Sequence, residues 1–132
     1  MCMKNTLGLI EKVKVKGRTS KEVQALVDTG AKLTSVDIKL AAETGIGPVI
    51  RATKIKSASK DSGTRRPVLR ATIEVGGKSF DTEVNIADRS RMAFPVLIGR
   101  NILTGNFLVD VGKNREVFRK VAKEKNMLSE FE

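Results

Sequence analysis

Between Leu7 and Val111 no regular pattern in this chain lasts long. Alternating or apolar runs are broken by turn residues about every eight to twelve positions. The breaks fall at Gly17-Arg18-Thr19-Ser20, Gly45-Ile46-Gly47-Pro48, Ser57 to Thr64, Gly76-Gly77 and Asp88 to Ala93. Such spacing predicts many short strands and a small, closed, mostly antiparallel β-barrel. Residues 7–16 place Leu9, Glu11, Val13 and Val15 on one side, and Ile10, Lys12, Lys14 and Lys16 on the other. That alternation predicts an edge strand guarded by lysine. A second strand, Glu22 to Asp28, turns wholly apolar at Ala25-Leu26-Val27, so its end is buried.

Lys32 to Ser35 leads outward, and Val36 to Glu43 suits a short helix capped by Ser35 or Asp37 and stopped at Gly45. Arg51 to Lys56 and Val68 to Val75 read as a long hairpin with a small-residue tip between them. Gly76-Gly77 turns the chain into a partner strand, Ser79 to Ile86. Phe94 to Gly99 is a second buried strand, Arg100 to Leu103 a helical turn, and Asn106 to Val111 a last strand. Beyond Lys113, Val117, Val121 and Leu128 share a helical face, which predicts a C-terminal helix or tail. We expect one domain over residues 1–132, with its core at about 7–112 and an extension at 113–132.

Histidine is absent and the one cysteine is Cys2. That removes Ser-His-Asp triads, Cys-His pairs and HExxH zinc sites together, and no disulfide can form within the chain. No metal and no cofactor is expected. Catalysis must use Asp, Glu, Lys, Ser or Thr. No apolar run approaches the ~20 residues of a membrane span, and the start lacks a secretory core. The expectation is a cytoplasmic protein without a membrane partner. The formal charge is +10. A basic domain of this kind suits a solvated surface, an acidic polypeptide partner or nucleic acid. No Trp, no Tyr and five Phe leave few stacking platforms, which argues against nucleic acid.

One carboxylate stands out. Ala25-Leu26-Val27-Asp28-Thr29-Gly30-Ala31 ends a buried strand abruptly at an acid, followed by a hydroxyl residue and two small ones. About seventy residues later comes Val96-Leu97-Ile98-Gly99-Arg100-Asn101-Ile102-Leu103, with the long hairpin between. This order resembles the retropepsins, the retroviral-type aspartic proteases, over roughly residues 8–111. In detail it is most similar to the RimK-associated family labelled "ATP-dependent zinc protease". Lys32 follows Asp-Thr-Gly-Ala, Thr34 and Ser35 come next, and Phe107-Leu108-Val109-Asp110 closes the pattern. The chain itself has neither a Walker-type loop for ATP nor a histidine for zinc.

The resemblance implies an aspartic peptidase with Asp28 catalytic and Thr29, Gly30 and Ala31 in its active-site loop. It implies that the hairpin is a flap over substrate, which makes Ser57, Ala58, Ser59 and Lys32 candidate substrate contacts. Ile98, Gly99 and Arg100 would support the loop from behind. The viral relatives pair that Arg with an Asp just after the catalytic triplet. Here Lys32 stands there, so the partner of Arg100 is open among Asp37, Asp110 and a backbone carbonyl.

Aspartic catalysis needs two carboxylates, and the chain has one such motif and no room for a duplicated fold. The expected answer is a C2 homodimer with Asp28 beside its symmetry mate, locked across the axis by Thr29. Arg51, Lys54, Lys56, Lys60, Arg65 and Arg66 on the hairpin, with Lys32, point to acidic or glutamate-rich tails as substrate, or form a solvated face. The resemblance also implies a place beside glutamate ligases that modify cellular proteins. The competing readings are a non-catalytic retropepsin-fold dimer that binds acidic proteins, and a basic nucleic-acid-binding barrel.

Overall fold

The computed structural model describes residues 5–54 and 65–124. Among the described residues nine strands and three helices follow one another: β1 (Asn5–Leu7), β2 (Ile10–Lys16), β3 (Ser20–Val27), β4 (Thr34–Asp37), α1 (Ile38–Thr44), β5 (Val49–Lys54), β6 (Arg65–Val75), β7 (Lys78–Ala87), β8 (Val96–Ile98), α2 (Arg100–Leu103), β9 (Phe107–Val109) and α3 (Arg115–Glu124). The main sheet runs β2-β3-β8-β4-β7-β6-β5, and β2 pairs back onto β6. That last pairing closes six strands into a barrel and leaves β5 outside the ring. β1 and β9 form a separate two-stranded ribbon.

Strand periodicity fills the barrel. Val13 and Val15 of β2, Ala25 and Val27 of β3, Val36 of β4, Leu69, Ala71, Ile73 and Val75 of β6, Val84 and Ile86 of β7, and Val96 and Ile98 of β8 all enter one core. Alternate residues along a strand must face the other way. On that outer face lies a second cluster, Ile10, Ala93 and Phe94, on which Leu26, Val117, Phe118 and Val121 pack. The Phe94 and Phe118 rings stack at 6.0 Å, so α3 is docked against the barrel by Val117, Phe118 and Val121. Leu128 lies outside the described residues.

Three sequence expectations change. β2 is not a free edge, because β3 pairs along its whole length and β6 pairs with Lys14 to Lys16 on its other side. The segment expected to lead outward before a helix is instead β4, which pairs with β7 and β8. Helix α1 therefore starts at Ile38; Asp37, one of the two expected caps, accepts the Lys39 amide, and Gly45 ends the helix in the left-handed region at φ 67°. The pairing is mostly antiparallel, as expected, with β1–β9, β3–β8 and β4–β7 parallel. Parallel partners need long crossovers. For β3–β8 and β4–β7 that crossover is most of the intervening chain.

Candidate active site

β3 carries Asp28 to the rim of the barrel. Its last residues pair with β8, Leu26 opposite Leu97 and Val27 opposite Ile98. The ladder extends one step further, since the Asp28 amide donates to the Ile98 carbonyl at 2.9 Å. The backbone at Asp28 is thus fixed by two buried strands while its side chain stays partly exposed. Asp28 Oδ1 accepts the Gly30 amide at 2.8 Å, which sets the carboxylate's direction. A Cβ on Gly30 would sit 3.2 Å from that same oxygen. The glycine therefore allows the tight turn that presents the acid.

The loop from Asp28 to Leu33 rests on α2. The amides of Arg100 and Asn101 open this helix and would otherwise lack partners. They donate to the carbonyls of Ala31 at 2.8 Å and Lys32 at 3.1 Å. Arg100 Nη1 donates to the Thr29 carbonyl at 3.1 Å. Of the three partners open to Arg100, the backbone carbonyl is the one it takes. Asp37 is committed to Lys39 and Arg89 amides, and Asp110 accepts the Gly112 amide.

Gly99 is required on steric grounds: a Cβ there would lie 2.6 Å from the Leu33 carbonyl carbon. Beside it, Thr34 Oγ1 accepts the Gly99 amide at 3.1 Å and donates to Asn101 Oδ1 at 2.9 Å. Asn101 Nδ2 donates to the Glu83 carbonyl and the Thr82 hydroxyl. Thr34 and Asn101 thereby tie β4, α2 and β7 together under the loop.

Thr29 and Gly30 are exposed at the loop tip, Ala31 is half-buried, and Lys32 points to solvent. Ile98 and Gly99 are buried. The β5–β6 hairpin stands where the flap was expected, with Arg51 pairing with Glu83 across to β7. Its tip, including Ser57, Ala58 and Ser59, lies outside the described residues, as do Lys56 and Lys60.

Arg89 belongs to this region and carries no sequence signal of it. It sits in a run of polar residues without periodicity, Asp88-Arg89-Ser90-Arg91. Yet it is only 8% exposed. Its amide donates to Asp37 Oδ1 and its Nε to the Phe94 carbonyl. Burial depresses the guanidinium below its ordinary value and repulsion from Arg66 adds to that, while Asp37 and Asp28 act in the opposite direction. A buried positive charge therefore lies within electrostatic reach of Asp28.

The zinc named in the family label does not fit this chain. Zinc sites draw on Cys, His and carboxylates, and histidine is absent. Among the described residues no three Cys, Asp or Glu side chains converge on one point. No helix among them is long and apolar enough to cross a membrane.

The fold resembles several solved structures. Protein Lpg0085 of Legionella pneumophila subsp. pneumophila str. Philadelphia 1, a DUF785 protein of unknown function, superimposes with a TM-score of 0.59 at 23% identity, over 83% of this chain and 95% of that one. The EIAV protease, in a complex with the inhibitor HBY-793, gives 0.55 at 21% identity, over 71% and 83%. The Simian Foamy Virus (mac) protease gives 0.52 at 20% identity, over 70% and 88%. At these identities the likeness establishes the fold: a mostly β, retroviral-protease-like barrel. No curated protein sequence matches the chain significantly. A family model described as RimB-like, "retropepsin-like aspartic endopeptidase RimB", matches residues 36–120. That stretch is more than half of the chain, and it begins after Asp28-Thr29-Gly30.

Proposed function

Because this chain belongs to the RimB-like family of retropepsin-like aspartic endopeptidases, we propose that it is a homodimeric peptidase whose active site is Asp28 from each of two copies. The observation that carries the reading is the presentation of Asp28. A lone carboxylate stands at the end of a buried strand, oriented by the Gly30 amide at 2.8 Å, on a loop clamped by Arg100. A turn-capping aspartate would need none of that support from a second strand and a helix seventy residues away.

In the dimer, two carboxylates within about 3 Å hold one proton between them, because like charges that close do not both ionise. The ionised one takes a proton from water as it attacks the scissile carbonyl. The protonated one gives its proton to the carbonyl oxygen. The tetrahedral species then collapses as a proton passes to the leaving amine. The chain's own contribution is placement. The β3–β8 ladder and the Arg100–Thr29 contact fix the two loops so that the reacting atoms meet without further reorganisation. Thr29, exposed at the tip, bridges the loops across the axis. The β5–β6 hairpin covers the bound peptide and excludes water.

The substrate is an acidic segment, such as a glutamate-rich tail. Lys32 and Arg100 are exposed on and beside the Asp28 loop, and the buried Arg89 lies within electrostatic reach of Asp28. Positive charge around a cleft concentrates and steers anionic peptides.

Asp28→Asn keeps the shape of the side chain and the hydrogen bond to Gly30 while removing the acid–base group. We expect cleavage of a glutamate-rich peptide to fall at least about a thousand-fold, with the dimer unchanged in sedimentation. Wild-type cleavage rates in the Asn variant overturn the mechanism.

A further inference from the structure

At the opposite end of β3 from Asp28 the chain forms an open groove of about 440 Å³. The β2–β3 turn and β6 frame it, and the segment after α1 ties these two together. The Thr19 amide donates to the Thr44 carbonyl at 3.1 Å, and the Arg70 amide donates to the Pro48 carbonyl at 3.2 Å. A Cβ on Gly17 would lie 2.4 Å from the Thr44 carbonyl oxygen, so glycine lets the turn close on this segment. Lys16 pairs with Ser20 where the β2–β3 hairpin turns. Asp28 comes eight residues after Ser20. At ~3.3 Å per residue, the groove and the candidate catalytic acid lie about 26 Å apart along β3.

Three cations and one acid line the groove: Lys16, Arg18, Arg70 and Asp81. Strand alternation sets those on β6 and its neighbours. Leu69, Ala71 and Ile73 enter the core, so Arg70 and Thr72 turn outward. Thr72 stands between Lys16 of β2 and Asp81 of β7 in the ladder. Lys16 is held by Glu74 at 2.6 Å, and Asp81 accepts the Thr72 hydroxyl at 2.5 Å. Arg18 and Arg70 are exposed and take part in none of the ion pairs among the described residues. Their neighbours are engaged elsewhere. Glu83, directly opposite Arg70, pairs with Arg51 instead, and Glu43 pairs with Lys21. The stem of Arg18 is seated as well. Its Cβ, Cγ and Cδ lie 3.2 to 3.3 Å from where a Cβ on Gly45 would stand. A stem packed in this way loses less freedom when its guanidinium takes a ligand.

We propose that this groove is a second binding site, remote from Asp28, for the carboxylates of an acidic polypeptide segment. Two arginines without acidic partners offer planar forks that match carboxylates two bonds at a time. Cations gathered in a concave surface add their fields, and here they outnumber the one acid. The volume lies within the ~300–1,000 Å³ of sites that enclose small ligands, so the groove takes a few residues of chain rather than a folded partner. Its apolar lining is Ile46 and Ala71, with no aromatic ring. Nothing there stacks a base, which favours a polypeptide over a nucleic acid. An extended chain needs at least about eight residues to run from the groove to Asp28. A longer acidic tail held in the groove is therefore presented to the cleft at a raised effective concentration. This delivery role rests on the peptidase reading above, whereas the binding itself does not.

The test uses the full-length Asp28→Asn protein as a non-cleaving binder of a fluorescent deca-glutamate peptide, followed by anisotropy. Arg18→Gln with Arg70→Gln shortens neither stem to the backbone and removes both charges. It should weaken binding at least about ten-fold. Lys120→Gln with Lys123→Gln removes the same charge from the exposed side of α3 and should change binding less than about two-fold. Asp81→Asn should tighten binding, because it removes the repelling group. Equal losses from the two double variants, weaker binding by Asp81→Asn, or no peptide binding by the parent overturns the site. So does displacement of the peptide by an equal concentration of inorganic phosphate, or tighter binding of a single-stranded oligonucleotide of equal charge. Cleavage separates the two readings. In the chain with Asp28 intact, Arg18→Gln with Arg70→Gln should lower kcat/KM for a long glutamate tail at least about ten-fold and leave a short acidic peptide unchanged. If long and short substrates are cleaved alike with and without the two arginines, only the groove falls. If binding depends on Arg18 and Arg70 while the wild-type chain cleaves nothing, only the peptidase reading falls.

Discussion

At the scale of single residues, the candidate site depends on side chains that never approach a substrate. Thr34 and Asn101 share a short network under the Asp28 loop, and Gly99 leaves the space in which Leu33 and Thr34 pass. Thr34→Val removes both hydroxyl bonds without changing volume. It should cost about 1–3 kcal/mol in urea unfolding. Gly99→Ala drives a methyl into the Leu33 carbonyl and should cost at least as much, about 1–3 kcal/mol or more. A Gly99→Ala protein as stable as the parent would show that the loop yields there and that the motif is not steric. Asp28 stands out in the sequence because an acid ends an apolar run there, whereas the place of Gly99 and Arg100 behind its loop came from the family resemblance. The partner of Arg100 was not legible, since a backbone carbonyl leaves no trace in a side-chain pattern. Arg89 was hidden for a related reason. Its Nε bonds the Phe94 carbonyl, and nothing local in Asp88-Arg89-Ser90-Arg91 encodes that contact.

At the scale of elements, the strands with strong alternation were legible and the strand made by its neighbours was not. The β6–β7 hairpin announces itself through Gly76-Gly77 and two periodic flanks. β4 does not, because Thr34-Ser35-Val36-Asp37 has only one apolar residue and local propensity permits a helix start. Its strand state is imposed by β7 and β8, some fifty to sixty residues away in sequence. Non-local pairing overrides local preference in this way throughout sheets. The same holds for β2, whose lysine face reads as an edge until β6 closes on it. Helix α3 makes its own test. Val117, Phe118 and Val121 cover Ile10, Leu26 and Phe94. Phe118→Ala removes the stack on Phe94 and, being half-buried, should cost about 2 kcal/mol, less than the ~3–5 of a fully buried Phe. Chemical denaturation checks this. No loss of stability would mean that α3 is not docked on the barrel.

At the scale of the whole molecule, two properties remain to be tested together: charge and assembly. A net charge of +10 over the whole chain predicts that kcat/KM for an acidic peptide falls several-fold between low and moderate salt, while a neutral peptide responds little. Equal salt dependence for the two peptides would make the cations a plain solvated face. Assembly is the more decisive property. The barrel supplies one Asp28, and a peptidase of this type needs two carboxylates at one place. The direct measurement is cleavage by a fixed amount of wild-type protein equilibrated with a nine-fold excess of the Asp28→Asn chain. If each active site takes one aspartate from each copy, most wild-type chains become trapped in mixed dimers, and activity falls to about a tenth. Activity that stays at its starting level would show that one chain suffices, and the two-copy active site would be wrong.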